Sequence, residues 1–156
     1  MAALLIPETG ELLELLTQTG MDFSLFERND PLDVVQHALE SLEGTDCPLA
    51  HRVTPGLYTR TIAMPAGAWV VSKTHKTHHQ FLITEGRVRV WMQDTGWREL
   101  EAIHHGETFP GTRRLLRVME NTVWTTFHPI PEVGPDFVDL HFIEDRLIQP
   151  RTILLQ

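Results

Sequence analysis

The chain has 156 residues, 42% of them hydrophobic and 22% charged, with a formal net charge of -8. This is the size and balance of one soluble globular domain with a single core. The acidic excess argues against a general nucleic-acid binder, because phosphate binding draws on surplus Lys and Arg; the local group Arg113, Arg114 and Arg117 is enough to hold one anion.

Cys47 is the single cysteine, so no intramolecular disulfide can form and a reducing compartment fits. The opening Met1 to Glu8 lacks the basic region of a signal peptide. No apolar run approaches the ~20 residues that cross a bilayer. A cytoplasmic protein with neither a membrane nor a nucleic-acid partner is expected.

Residues 1–50 read as a helical extension, packed on the main domain or on a partner. Thr9 is the expected N-cap of a first helix that carries Leu12, Leu13, Leu15 and Leu16 and stops at Gly20. In the second helix Asp30 is placed to cap, Pro31 suits the first helical position and Asp33 suits the positive end of the dipole. Leu32, Val35, Ala38, Leu39 and Leu42 form its apolar face, and Gly44 ends it.

Over 51–130 the period changes from 3.6 to 2. Strands are expected at 57–64, 68–73, 80–84, 87–92, 97–102, 115–119 and 122–128, with Gly and Pro turns between them. In 87–92, Val88, Val90 and Met92 face one way and Arg87, Arg89 and Trp91 the other. Short strands at this spacing signal an all-β sandwich or barrel. A C-terminal extension, 131–156, begins with a Pro- and Gly-rich loop, and a short closing helix over 136–149 is expected there, capped by Asp136.

Chemistry concentrates at His75-Lys-Thr-His78-His79, where three imidazoles fall within five positions between two β-rich runs. Strand alternation puts Trp69, Val71, Lys73 and His75 on one face, and His79, Phe81 and Ile83 on one face of the next strand. If both faces point inward, His75 and His79 meet across the corner. Neutral imidazole suits Zn, Fe, Ni, Cu and Mn. His78 reads as a solvated turn residue. His128 is the expected third ligand, although Val123, Thr125 and Phe127 read as the inward face of its strand; His104 and His105 are the other options. His37, His51 and His141 read as surface or capping residues.

These residues also carry a resemblance to small single-domain cupins. The first cupin motif runs Gly, His-x-His, three or four residues, Glu, six residues and Gly. Anchored on Gly86, it places His79 where the family has Glu, His75 on the second His and Lys73 on the first. The second motif is met in part by Gly106, Pro110 and Gly111, with an Arg near the place of the last His and Asn121 for the closing Asn. The run Glu120 to Pro129, with Pro110 to Arg114 before it, resembles cupins often encoded in phage and prophage genomes, a group without an assigned reaction. The resemblance implies a mainly β, jelly-roll β-barrel with N-terminal helices.

Three functions remain open at this stage. One is a metal-dependent enzyme, a dioxygenase or isomerase of a small molecule, with a divalent Zn, Fe, Mn or Ni held by His75, His79 and His128. Another is a metal-free module used for binding only, with a carbohydrate or a small anion in the barrel, the anion being a carboxylate or phosphate held by Lys73 with Arg113 or Arg114. The last is a phage-type accessory or structural protein. Edge strands of a jelly roll need cover, so a homodimer is expected. No Gly-x-Ser-x-Gly elbow or phosphate-binding Gly-rich loop is present, and Cys47 reads as structural.

Overall fold

The computed structural model describes residues 10–131 together with Leu147. Among the described residues nine strands follow two short helices. Helix α1 spans Gly10–Gln18 and α2 spans Pro31–Leu39, with a 3-10 turn at Phe23–Glu27 between them. The strands are β1 (Leu49–Thr54), β2 (Leu57–Met64), β3 (Trp69–Val71), β4 (His79–Glu85), β5 (Arg87–Met92), β6 (Gly96–Glu101), β7 (His104–Thr108), β8 (Leu115–Val118) and β9 (Thr122–Pro129).

They form two antiparallel sheets, one of order β1-β2-β9-β4-β7 and one of order β3-β8-β5-β6. Sequence-adjacent β4 and β5 lie in different sheets, so the chain crosses between layers at Gly86, with φ +92°. A side chain there would strike the backbone of Asn121 and Thr122. Crossings of this kind close two sheets into a jelly-roll barrel, the expected fold class.

The core has two layers. Between the sheets lie Met64, Ala68, Phe81, Ile83, Val88, Val90, Leu116, Val118 and Trp124. Outside the four-stranded sheet, Leu12, Leu16, Leu32, Val34, Val35 and Ala38 of the helices pack with Trp91 and Leu115. The helical extension therefore covers the barrel itself. Strand β5 serves both layers by alternation, with Val88 and Val90 inward and Trp91 under the helices.

The capping chemistry of α2 follows its sequence. Asp30 accepts from the Leu32 N–H at 2.9 Å and Pro31 opens the helix. Gly20, with φ +70°, sits beyond the end of α1. Helix α2 finishes at Leu39, before the expected stop at Gly44. Thr9, the closing helix over 136–149 apart from Leu147, and His141 lie outside the described residues.

Two strands escaped the period-2 reading. β1 is exposed along nearly its whole length, and β7 is an edge strand whose inward face carries His104, Gly106 and Thr108, so neither has an apolar face to announce it. Two expected faces also differ. Trp69 and Val71 pack outward against the helices while Val70 joins the barrel core, so the side of β3 that carries Trp69 is the outer one. On β9 the inward residues are Thr122, Trp124 and His128, whereas Val123, Thr125 and Phe127 are half-buried on the other side.

Candidate functional site

His79, Thr108, Tyr58 and His128 are brought to one end of the barrel by strand pairing. Tyr58 of β2 stands opposite His128 of β9. Gln80 of β4 stands opposite Phe127, and His79 stands opposite Thr108 of β7. Residues 72–74 leave the regular strand, although the Ser72 N–H still donates to Arg114 O at 2.8 Å, and His75 turns inward while Trp69 and Val71 face out. His75 is pinned there by backbone: its N–H donates to Thr112 O at 3.2 Å, and its carbonyl accepts from Gly111 N–H at 2.8 Å.

The result is a cluster of three rings. The His75 and His79 centroids are 4.7 Å apart, His79 and His128 4.1 Å, and His75 and His128 6.0 Å. His79 and His128 are each 3% exposed. The inward turn of His128 removes the objection that its strand faces the other way.

Each ring has a buried nitrogen without a partner: Nδ1 of His75, Nε2 of His79 and Nδ1 of His128. The second nitrogen of two rings is engaged. Nδ1–H of His79 donates to Thr77 O at 3.1 Å, which leaves Nε2 as the lone pair. Nε2 of His128 lies 2.8 Å from Thr126 Oγ1. Anchoring one ring nitrogen so that the other is free is the pattern of metal-ligating histidines. The unpartnered hydroxyls of Thr77 and Thr108 are also buried here.

Burial keeps these rings neutral. Desolvation first, then the fields of His79, Arg114 and Arg60, bring His75 down to about 3. Desolvation, then His79, His75 and Arg60, bring His128 to about 3 as well. His79 is lowered by desolvation, partly offset by its bond to Thr77 O. Three neutral imidazoles at pH 7 are three competent ligands.

The donor set suits a transition metal in type. A metal about 2.1 Å from each nitrogen lies roughly 3.2 Å from each ring centre, so tetrahedral angles put the centres about 5.2 Å apart. The observed 4.1, 4.7 and 6.0 Å straddle that separation. Among the described residues no group of three or more His, Cys, Asp or Glu is placed to hold a metal ion as the side chains stand, and converging on one ion would require the rings to turn.

The other expected site residues separate. His78 is exposed, 2.8 Å from Glu107 Oε2, and stacks on Phe109. His105 points out toward Gln80 Oε1 at 2.8 Å, and His104 lies 5.8 Å from the Phe81 ring, away from the cluster. Lys73 is exposed. Arg113 is bound to Asp33 and Gln36 of α2 and donates from Nε to Ser72 O at 3.1 Å, tying the barrel to the helices. Arg114 is buried inside the barrel, its guanidinium 5.1 Å from the Phe81 ring centre and 5.8 Å from that of Trp124.

Tyr58 and Arg60 were missed as site residues. Tyr58 stacks on His128 with centroids 5.6 Å apart and hydrogen-bonds His51 Nδ1. Their signal was the alternation of 57–64, which already put Tyr58, Ile62 and Met64 on one face and therefore Arg60 with them. Cys47 is partly buried against the barrel core, where desolvation pushes its thiol pKa up, as suits a structural residue.

No family model matches the sequence, and no curated protein matches it. Solved structures similar to this chain include an RmlC-like cupin family protein with a double-stranded β-helix fold from Methanocaldococcus jannaschii, at 11% identity over 58% of this chain and 84% of that one, with TM-score 0.46. A cupin 2 domain-containing protein from Halorhodospira halophila is similar at 14% identity, covering 67% of this chain and 81% of that one, with TM-score 0.48. The Cupin_2 domain of an XRE family transcriptional regulator from Enterobacter cloacae is similar at 14% identity, covering 56% of this chain and 99% of that one, with TM-score 0.47. No helix among the described residues is long and apolar enough to cross a membrane. The strand order, rather than these likenesses, carries the assignment of a cupin-like jelly-roll fold.

Proposed function

We propose that this barrel binds a divalent transition metal through His75, His79 and His128 and presents it to a small molecule. The observation that carries the reading is the three buried, unpartnered imidazole nitrogens on rings within 6.0 Å of one another. An unsatisfied buried polar atom costs about 1–3 kcal/mol, and three in one place are best explained by a ligand that satisfies them. Three neutral nitrogens leave open coordination positions, the arrangement of catalytic rather than structural metal sites. A metal held there would polarise or activate a bound oxygen atom. Thr77 and Thr126 orient the rings.

Metal analysis of untagged protein tests this. One equivalent of Zn, Fe, Mn or Ni is expected in the wild type, and loss of it in His75→Ala, His79→Ala and His128→Ala. Wild-type protein that takes up none of these ions would overturn the reading.

A homodimer belongs to the same proposal. β1 ends the five-stranded sheet with exposed side chains, Leu49 among them, and a second copy would cover that edge. Light scattering that gives the mass of a monomer at all concentrations would dismiss it.

A further inference from the structure

Among the described residues, Arg114 is the buried side chain of the Lys, Arg, Asp and Glu types, at 7% exposed. No carboxylate pairs with it among those residues. Its one side-chain hydrogen bond runs from Nη2 to Glu107 O at 3.5 Å, a long contact. Its neighbour Arg113 is fully engaged with α2, and the backbone N–H of Arg114 donates to Ser72 Oγ at 2.8 Å. The chain on both sides is thus fixed, and the guanidinium is held in place without an anion.

Burial without a charge partner is costly, and the faces of Phe81 and Trp124 offset only part of it. Desolvation lowers the Arg114 pKa to about 10, so the group remains a cation at neutral pH. Stacked rings engage the faces of a guanidinium and leave its N–H edge for a partner.

The residue also borders open space. Arg114 lines a cleft of 1160 Å³ bounded by Glu107, Phe109, Asp30, Asp94 and Arg98, between the N-terminus of α2 and the turn after β5. Arg114 also lies close enough to His75 and His79 for its field to lower both. It stands between the cleft and the histidine cluster.

We propose that the cleft admits a small organic carboxylate, whose carboxyl group pairs edge-on with the Arg114 guanidinium beside His75 and His79. A single fork matches two coplanar oxygens. Around the cleft Asp30, Asp33, Asp94 and Glu107 are matched in number by Arg28, Arg98, Arg113 and Arg114, so the lining has no cationic surplus for a dianion such as phosphate and one guanidinium suits a monoanion. The proposal deepens the function above by naming its ligand class; it rests on the same end of the barrel but does not require the metal.

The test uses chelator-treated, metal-free protein at fixed ionic strength. Acetate and benzoate are titrated separately, with benzamide as a neutral counterpart of benzoate and inorganic phosphate as the dianion. Binding is followed by calorimetry and by the guanidinium NMR signals of Arg114. Saturable binding of a carboxylate is expected, with a shift of those signals and no binding of benzamide. Affinity should fall about tenfold or more in Arg114→Gln and in Arg114→Lys, which keeps charge but loses the fork. Unchanged carboxylate affinity in a folded Arg114→Gln protein overturns the proposal. So does preferential phosphate binding, or unmoved Arg114 signals in the wild type, which needs no variant to fold. Metal uptake without carboxylate binding sinks this proposal alone; carboxylate binding by a wild type that takes no metal sinks only the metal reading.

Discussion

The outer face of the four-stranded sheet and the histidine end of the barrel are both largely buried, but they treat polar groups differently. On the outer face the charges are matched: Arg113 meets Asp33 and Arg117 meets Glu11, both acids on the helices. Inside, Arg114 has no acid and three imidazoles have free nitrogens. Five of the seven buried side-chain atoms without a partner among the described residues belong to His75, Thr77, His79, Thr108 and His128. The exceptions, Trp97 Nε1 and Arg117 Nε, lie on the outer side. The contrast separates a surface built for cohesion from an interior that leaves hydrogen-bonding capacity for something else.

Mutations that break the cohesive face should cost the most stability. Trp91→Ala empties a fully buried site under the helices and should cost about 3–5 kcal/mol in denaturant unfolding. If the two faces are independent, metal stoichiometry per folded molecule stays as in the wild type.

Acid should strike the other region. In metal-free protein His75 and His128 titrate near 3, whereas an unfolded histidine titrates near its usual 6.5. As pH falls below 6.5 the unfolded chain takes up protons that the folded chain refuses, so stability declines through the window from about 6.5 to 3. The slope should approach roughly 1 kcal/mol per pH unit for each well-buried ring. Urea midpoints that stay flat across this window, or that do not flatten in His128→Gln, would show that the rings are not held neutral.

The adjacent arginines give a sharper comparison of smaller size. Arg113→Ala removes the partner of a mostly buried Asp33 and should cost about 2–3 kcal/mol. Arg114→Gln removes an unpaired buried charge and should be near neutral in the same assay. Equal losses in both would mean that Arg114 serves the fold.

The smallest effect is expected at Thr108, whose buried hydroxyl has no partner. Thr108→Val keeps the shape and removes the unmet polar atom, so stability should rise by up to about 1 kcal/mol. A loss of that size instead would reveal that the hydroxyl is already satisfied.

Local pattern was enough for much of this architecture. The alternation of Leu57–Met64 and of Arg87–Met92 fixed both strands to the residue, and Asp30-Pro31 fixed the start of α2. The rings of His75 and His79 do lie 4.7 Å apart, although the face of β3 expected to bring them together points outward. β1 was not legible because almost every residue in it is exposed, and β7 was not because its inward face carries His104, Gly106 and Thr108 rather than apolar side chains. The face of β9 was misread because a central strand half-buried on its outer side also carries apolar residues there, as Val123 and Phe127 show.

By itself the sequence determined the mainly β fold class and the local density of imidazoles at 75–79, because both rest on spacing along the chain. Tertiary structure alone decided three things. Residues 72–74 leave the strand and turn His75 inward. The pairing of β9 beside β4 and β2 carries His128 to the same end. Arg113 turns to the helices and Arg114 to the barrel, although they are neighbours in the chain. Each depends on which side of a strand another element covers, and no periodicity within one segment encodes what will be packed against it.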